Sequence, residues 1–420
     1  MFQTYQEAIS WLFQQFPSYQ HIGPAAYKPD LGNIQFLLNK IGNPEKELKF
    51  IHVAGTNGKG TTSSILASYL AESGFKTGLF TSPHLLDFRE RIRINGEMIS
   101  EESVIDFCNS IQSIQEIEPS FFEISFAMAL YHFHQTKCEY CVIEVGMGGR
   151  LDATNCITPL ISVITTIGLD HTQFLGDTRA LIAGEKAGII KQDIPVVIGE
   201  KDEETTPVFE RKAKDMNSTI YFVDEAGFPT WMEKLTFPFN VGFQQQNAKT
   251  AFLTLEKSSK TEQVSIDQKV FEKALFHLTK NSGYQKRVEV VHENPRMILD
   301  VSHNLEGIKA TLFLLQNSIE GNLFIIYGSS SDKNYREIIE NFPKDSLIHL
   351  TTFHSERSWN ISSMIDIKET NLDRKIELHE NVNLAILDCL KRATSDDTIL
   401  VFGSFFLIQD ITLDFKKLGI

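Results

Sequence analysis

Apolar positions in the first 48 residues recur every three to four places. "YQEAISWLFQQF" (5–16) and "NIQFLLNKI" (33–41) fit the 3.6-residue period of an amphipathic helix better than the two-residue alternation of a strand. From "KFIHVAG" (49–55) onward the pattern changes. The runs "FKTGLFTS" (75–82), "YCVIEVG" (140–146), "LISVITTIG" (160–168) and "PVVIG" (195–199) are short, apolar or β-branched, and end in small residues. Such runs predict strands buried on both faces of a parallel sheet, with helical crossovers between them. Residues 202–282 are more polar and give no clear period. The alternation then restarts in "RMILDVSHN" (296–304), "NLFIIYGSSSDKN" (322–334), "SLIHLTTFH" (346–354) and "TILVFGSF" (398–405), which predicts a second, smaller α/β sheet. The expected division is residues 1–284 and 285–420.

A chain of 420 residues suits two such domains. No apolar run approaches the roughly 20 residues of a membrane span. The longest, "FFEISFAMALYHF" (121–133), carries Glu123. The N-terminal "MFQTYQEAISWLF" lacks a basic lead and a small-residue cleavage site, so no signal peptide and no membrane partner are expected. Five cysteines without a framework point to a reducing cytoplasm. Cys138-x-x-Cys141 has no second pair and sits within a strand pattern, so it reads as packing rather than zinc or redox chemistry. Lys plus Arg is 40 against 54 for Asp plus Glu, a net charge of −14, which argues against a nucleic-acid partner. A protein this acidic that handles phosphates must concentrate positive charge locally.

One stretch does so. Gly55-Thr56-Asn57-Gly58-Lys59-Gly60-Thr61-Thr62 follows a predicted strand and opens the helical "SSILASYLAESG" (63–74). Glycines allow backbone N–H groups to turn inward around a phosphate, and the helix N-terminus adds partial positive charge. Lys59 is expected to reach the β- and γ-phosphates, and Thr61 or Thr62 to offer a hydroxyl to Mg²⁺. The match to G-x-x-x-x-G-K-[ST] is imperfect: Val53 stands at the first glycine, and Gly60 separates lysine from threonine. The loop alone says only "nucleotide". A guanine-reading N-K-x-D is missing, since Asn39-Lys40 continues Ile-Gly.

Glu144 ends an apolar strand before a glycine-rich loop, where a P-loop enzyme keeps an acid for its metal. Asp170-His171 and "TSPHL" (81–85), with Ser82 and His84, also follow strands. The C-terminal edge of a parallel sheet is where ligands bind. Lys186, in "GEKAGIIK", is expected near a helix start and taken alone would be a solvated lysine.

Together these pieces resemble the Mur-ligase superfamily, specifically its folylpolyglutamate synthase and bifunctional dihydrofolate synthase branch. The resemblance is carried by "HVAGTNGKG", "TSPHL", "ERIRING", "FFEISFAMAL", "EVGMGGRLDATN", "GLDHTQFLG", "EKAGIIK", "DVSHN", "GSSSDKN" and "FGSFFL", in family order from about residue 30 to 407. It implies an N-terminal P-loop parallel-sheet ATPase domain with a folate site and a C-terminal Rossmann-like domain. It also implies an ATP-dependent amide ligase. The γ-phosphate goes to a substrate carboxylate, the amine of L-glutamate attacks the acyl phosphate, and phosphate leaves. The acceptor is dihydropteroate, the glutamate tail of a reduced folate, or both.

The resemblance further implies residue roles. Gly58, Lys59, Gly60 and Thr61 bind ATP phosphates. Ser82, Glu144 and His171 hold Mg²⁺, one of two ions. Lys186 is carbamylated and becomes a carboxylate-like group that helps hold the second. Asn247, in "FQQQNA", matches an adenine-side asparagine. Arg287 and Asp300 match nucleotide contacts, and His303 helps seat the acyl phosphate or glutamate. Ser120, Phe121, Phe122, Glu123, Asp152 and Ala153 look like the folate side. The family is commonly monomeric. Departures fall late in the chain: Lys286 before Arg287, Val301 and Ser302 within the D-G-A-H-N motif, and Asn334 in place of an acid. Two other readings are weighed. A cell-wall Mur ligase needs a UDP-binding domain ahead of the loop, yet the loop begins at Gly55 after residues that read as helical. A non-catalytic P-loop regulator leaves the second α/β domain with Asp300 and His303 unexplained.

Overall fold

A computed structural model describes residues 1–16, 30–235, 242–262, 266–285, 288–316, 318–331 and 333–415. The chain divides into two compact units, with the main break between Tyr284 and Gln285.

The first unit is built on an eight-stranded sheet in the order β4-β3-β2-β5-β1-β6-β7-β8. Its strands are β1 (Phe50–Ala54), β2 (Thr77–Phe80), β3 (Ile92–Ile94), β4 (Glu97–Met98), β5 (Tyr140–Glu144), β6 (Ile161–Ile164), β7 (Val196–Ile198) and β8 (Ile220–Phe222). The runs read from the sequence as buried strands are β1, β2, β5, β6 and β7, and every residue in them is buried. They pair in parallel, as does β8. The sheet is mixed rather than wholly parallel, because the short hairpin β3–β4 adds to β2 antiparallel. A two-residue Asn95-Gly96 turn, both at positive φ, closes it.

The helix Lys59–Glu72 is buried along ten consecutive residues, Thr61 to Leu70. It packs on β2 and β5 and against the helices Gln268–Phe276 and Leu278–Ser282. Its small polar residues permit that close approach. Ser68 donates to the Ala274 carbonyl at 2.7 Å and accepts from Asn281 at 3.1 Å. The polar stretch 202–282 therefore contains the second cover of this helix. It also holds the helices Thr206–Asp215 and Gly242–Glu262.

The main core lies where the helix Phe121–Gln135 meets β2 and β5. Cys138 and Cys141 are buried free thiols in it, as the packing reading expects. No helix among the described residues is long and apolar enough to cross a membrane.

The second unit carries a six-stranded sheet in the order β13-β12-β11-β14-β10-β9. Its strands are β9 (Glu289–Glu293), β10 (Arg296–Leu299), β11 (Leu323–Tyr327), β12 (Leu347–Thr351), β13 (Lys375–His379) and β14 (Thr398–Phe402). All neighbours are parallel except β9 and β10. Trp359 is fully buried and donates to the Thr351 carbonyl at 2.7 Å, pinning the segment after β12.

Candidate active site

The phosphate loop leaves β1 and turns into the helix Lys59–Glu72 through two glycines at positive φ, Gly55 (147°) and Gly58 (85°). Neither tolerates a side chain. A Cβ at Gly55 would meet Thr165 Oγ1 at 1.8 Å, and one at Gly58 would meet Asn247 Oδ1 at 2.3 Å. The loop is braced from the end of β6. Thr165 and Thr166 donate to the Asn57 carbonyl at 2.6 and 3.2 Å, and Thr56 N–H donates to the Thr166 carbonyl at 2.7 Å. Lys59 folds across the turn, donating to the Gly55 and Thr56 carbonyls at 2.9 and 3.0 Å. Thr61 is buried with its hydroxyl 3.2 Å from Tyr284 Oη, whereas Thr62 Oγ1 is buried without a hydrogen-bond partner among the described residues.

Gly58→Ala is accordingly expected to weaken nucleotide binding at least about tenfold and to lower stability by about 1–3 kcal/mol, from overpacking and a strained φ. Calorimetric titration with a non-hydrolysable ATP analogue and chemical unfolding would measure both.

The neighbouring strand ends supply the metal-type donors. Ser82 follows β2, Glu144 ends β5 and His171 stands past β6, so with the loop after β1 they occupy four adjacent strands. Ser82 N–H donates to Glu144 Oε2 at 3.2 Å. Glu144 is 4% exposed, and a Cβ placed on Gly60 would lie 3.6 Å from the same oxygen, so the carboxylate reaches the phosphate loop. His171 takes left-handed φ (50°), and its N–H is held by its neighbour Asp170 at 2.8 Å. The hydroxyl and carboxylate oxygens of Ser82 and Glu144 suit an Mg²⁺- or Mn²⁺-type ion, with the His171 imidazole as one softer donor beside them.

Lys186 corrects one expectation. It lies at the C-terminal end of the helix Arg179–Lys186, not near a start, because Thr178 caps that helix eight residues earlier and accepts from Leu181 N–H. The consequence is burial: Lys186 is 4% exposed, and its amine donates to the Gly55 carbonyl of the phosphate loop at 2.8 Å. Burial, with the Lys59 charge adding to it, pushes Lys186 down to about 7; Asp170 and Asp152 oppose the shift. The loop Gly146–Arg150 packs directly on this helix end. Arg150 N–H donates to the Glu185 carbonyl at 2.8 Å, and a Cβ at Gly149 would strike the Glu185 and Lys186 carbonyls at 2.8 and 2.9 Å.

The folate-side residues divide. Phe121 is core: it stacks on Phe13 at 4.9 Å and carries Arg91 over its ring. Ser120 and Glu123 form a reciprocal capping box, Ser120 N–H to Glu123 Oε2 at 2.7 Å and Glu123 N–H to Ser120 Oγ at 3.2 Å. Phe122 is half-buried and touches the glycine-rich loop, since a Cβ at Gly146 would meet its ring at 2.6 Å. Asp152 is buried, shifted upward by that burial, and accepts from Met147 N–H at 2.9 Å and Thr154 N–H at 3.0 Å; Ala153 follows it into a short 3₁₀ turn.

Asn247 packs against the phosphate loop at Gly58 and is 4% exposed. Its Nδ2 has no hydrogen-bond partner among the described residues, so a buried donor is available beside the loop. Arg287 and Lys286 lie outside the described residues.

In the second unit, Asp300 follows β10 and is 1% exposed. Its N–H donates to the Val401 carbonyl, Oδ2 accepts from Thr311 at 2.6 Å, and Oδ1 is buried without a hydrogen-bond partner among the described residues. His303 Nδ1 lies 3.1 Å from the Val301 carbonyl and must donate there, and its ring sits on Phe405. Ser302, a departure from the family motif, joins the Thr311 hydroxyl at 3.2 Å. Asn334 donates to Glu337 at 2.8 Å.

Sequence reasoning missed Arg91, Thr165 and Tyr284. Arg91 is 3% exposed, donates to His84 Nδ1 at 2.7 Å, and is pushed down to about 10 by burial while Glu144 and Glu90 oppose the shift. The signal available was an arginine inside the apolar alternation of "ERIRI".

Residues 53–270 match the family model of the Mur ligase middle domain, and residues 286–405 that of the Mur ligase glutamate ligase domain. The chain is 31% identical to the dihydrofolate synthase/folylpolyglutamate synthase of Bacillus subtilis, covering 98% of this chain and 99% of that one. It is 30% identical to the folylpolyglutamate synthase of Lacticaseibacillus casei, over 79% of this chain and 81% of the relative. Among solved structures, E. coli FolC in complex with DHPP and ADP superposes with a TM-score of 0.83 at 26% identity, covering 97% and 96% of the two chains. The Yersinia pestis bifunctional synthase complexed with AMPPNP and Mn gives 0.82 at 26% identity, with the same coverage.

Proposed function

Since the chain belongs to the dihydrofolate synthase/folylpolyglutamate synthase family of Mur ligases, we propose that it joins L-glutamate both to dihydropteroate and to the glutamate tail of reduced folates, through an acyl phosphate. It is an ATP-dependent glutamate ligase. The acceptor range is supported by relatives matched over most of their length that carry both activities in their names. The single observation that carries the site assignment is the Lys186 amine, buried 2.8 Å from a carbonyl of the phosphate loop.

The chemistry needs a good leaving group, because a carboxylate would otherwise have to expel oxide. An acceptor carboxylate oxygen forms a bond to the γ-phosphorus of ATP, and the bond to ADP breaks. Gly58, Gly60 and Thr61, at the start of the helix Lys59–Glu72, turn N–H groups toward the transferring phosphoryl, and Lys59 places a full charge there. A divalent ion held by Ser82, Glu144 and His171 supplies neutralising charge when bound. Mn is the metal named for a solved relative. Mg²⁺ is the ion proposed here, with a second held by carbamylated Lys186. Asn247 offers its buried Nδ2 to the adenine side and Asp300 its buried Oδ1 to a nucleotide hydroxyl.

The glutamate amine then attacks the acyl carbon, the C–O bond to phosphate breaks, and the amine proton is lost. His303, which donates from Nδ1 to the Val301 carbonyl, is the residue proposed to seat that amine. Phe122 and Asp152 wall the folate side. We propose that it works in the cytoplasm as a monomer.

Phosphate release from Mg²⁺-ATP with L-glutamate, comparing dihydropteroate with tetrahydrofolate, tests the reading. Glutamate-dependent release with both acceptors is expected. Release with tetrahydrofolate alone would restrict the chain to polyglutamate synthesis.

A further inference from the structure

The second unit holds a side-chain cluster that the ligase reaction does not use. His349 on β12 pairs in register with Glu377 on the edge strand β13, so the two share a face. His379, two residues along β13, lies on that face too. The helix Val382–Arg392 covers it and brings Asp388. One ligand atom from each of His349, Glu377, His379 and Asp388 lies within 4.8 Å of all the others.

We propose that these four residues form a binding site for a zinc-type divalent transition-metal ion, which clips the edge strand β13 to β12 and to the helix Val382–Arg392. Two imidazoles with two carboxylates favour such an ion over Mg²⁺ or Ca²⁺, which prefer all-oxygen shells. His349 Nδ1 and His379 Nε2 are already 2.9 Å apart. Tetrahedral ligation at Zn–N distances of about 2.0–2.1 Å needs roughly 3.3 Å between two nitrogens, so these rings must separate by only a few tenths of an ångström. Asp388 Oδ2 is 3.9 Å from His349 Nδ1 and has to move inward by a similar amount.

One group competes. Arg392 bonds Glu377 Oε1 at 2.6 Å and Asp388 Oδ2 at 3.2 Å. It balances the two carboxylates in the metal-free protein. Its side chain is 39% exposed, so it can swing into solvent when an ion enters.

Co²⁺ titration of the chelator-stripped full chain tests this, because a tetrahedral histidine-containing site gives an intense visible absorption and an oxygen-rich octahedral one does not. One equivalent is expected to produce the band and Zn²⁺ to displace it. The band should survive Glu144→Gln, which damages the proposed ligase metal site, and vanish in His379→Gln. Arg392→Gln should tighten Co²⁺ at least about tenfold, a gain that misfolding cannot mimic. Zn²⁺ should also raise the unfolding midpoint of the parent but not of His379→Gln. No intense band, a band kept in His379→Gln, or a band lost in Glu144→Gln would overturn the site without touching the ligase assignment.

Discussion

Lys59→Ala is expected to reduce glutamate-dependent phosphate release by roughly a thousandfold while the protein remains folded. Removing one preorganised donor from a site of developing negative charge costs about a hundred- to a thousandfold in other enzymes, and Lys59 carries a full charge rather than a dipole. The surroundings amplify this. The chain has a net charge of −14, and Glu144 reaches the same loop, so no general positive field replaces the lost cation. Lys59 has a second effect: its charge helps hold Lys186 down. Without it Lys186 shifts back toward the ordinary lysine value, and less of the amine is neutral. Lys59→Arg should not restore turnover, because the longer, planar guanidinium cannot occupy the place of a compact ammonium folded onto the Gly55 and Thr56 carbonyls. Steady-state phosphate release and nucleotide titration measure the effect. Turnover within tenfold of the parent would remove Lys59 from the phosphate-binding role.

The sequence makes the phosphate loop and the strands around it legible for a physical reason. Strands buried on both faces are written as uninterrupted apolar runs, and glycines at forced positive φ mark the turn between strand and helix. Gly55 and Gly58 are such positions, since Thr165 and Asn247 occupy the space of any Cβ. What periodicity cannot show is the partner across space. Thr165 and Tyr284, which hold the loop and Thr61, lie 108 and 223 residues beyond their partners Asn57 and Thr61 and look like any threonine or tyrosine. The helix Lys59–Glu72 is buried all round, so it has no polar stripe, and the helices that cover it fall in the stretch 202–282 that resisted reading. Phe121 and Phe122 are identical in sequence terms, yet successive helix positions point about 100° apart. One enters the core and the other meets the glycine-rich loop. The metal cluster of the second unit is hidden for the same reason: His349 and Asp388 are 39 positions apart, and parallel strand pairing and a covering helix bring them together.

Lys186→Ala is the other substitution expected to abolish turnover, and it separates the two roles a buried lysine can play. If Lys186 acted as a cation, a carboxylate added in solution could not replace it. As a carbamate it is an anion, so acetate is expected to restore part of the activity of Lys186→Ala and added bicarbonate none. The chemistry fits the position. A neutral amine attacks carbon dioxide, an N–C bond forms, the C=O pair moves to oxygen, and a proton leaves. With Lys186 pushed down to about 7, its neutral fraction rises between pH 6 and pH 8. Activation of the stripped parent by bicarbonate should therefore quicken across that interval.

The same shift fixes the sign of a stability effect. Between about 7 and the ordinary lysine value of 10.5 the unfolded chain holds a proton that the folded chain has lost. Stability contributed by this group thus rises with pH through that window, and the penalty of burying it is largest below 7. Lys186→Met has no such group, so the stability difference should move in favour of the parent from pH 7 to 10 by chemical unfolding. A pH-independent difference, or failure of acetate to restore any activity to a folded Lys186→Ala, would leave Lys186 as a simple structural cation and require another residue to hold the second ion.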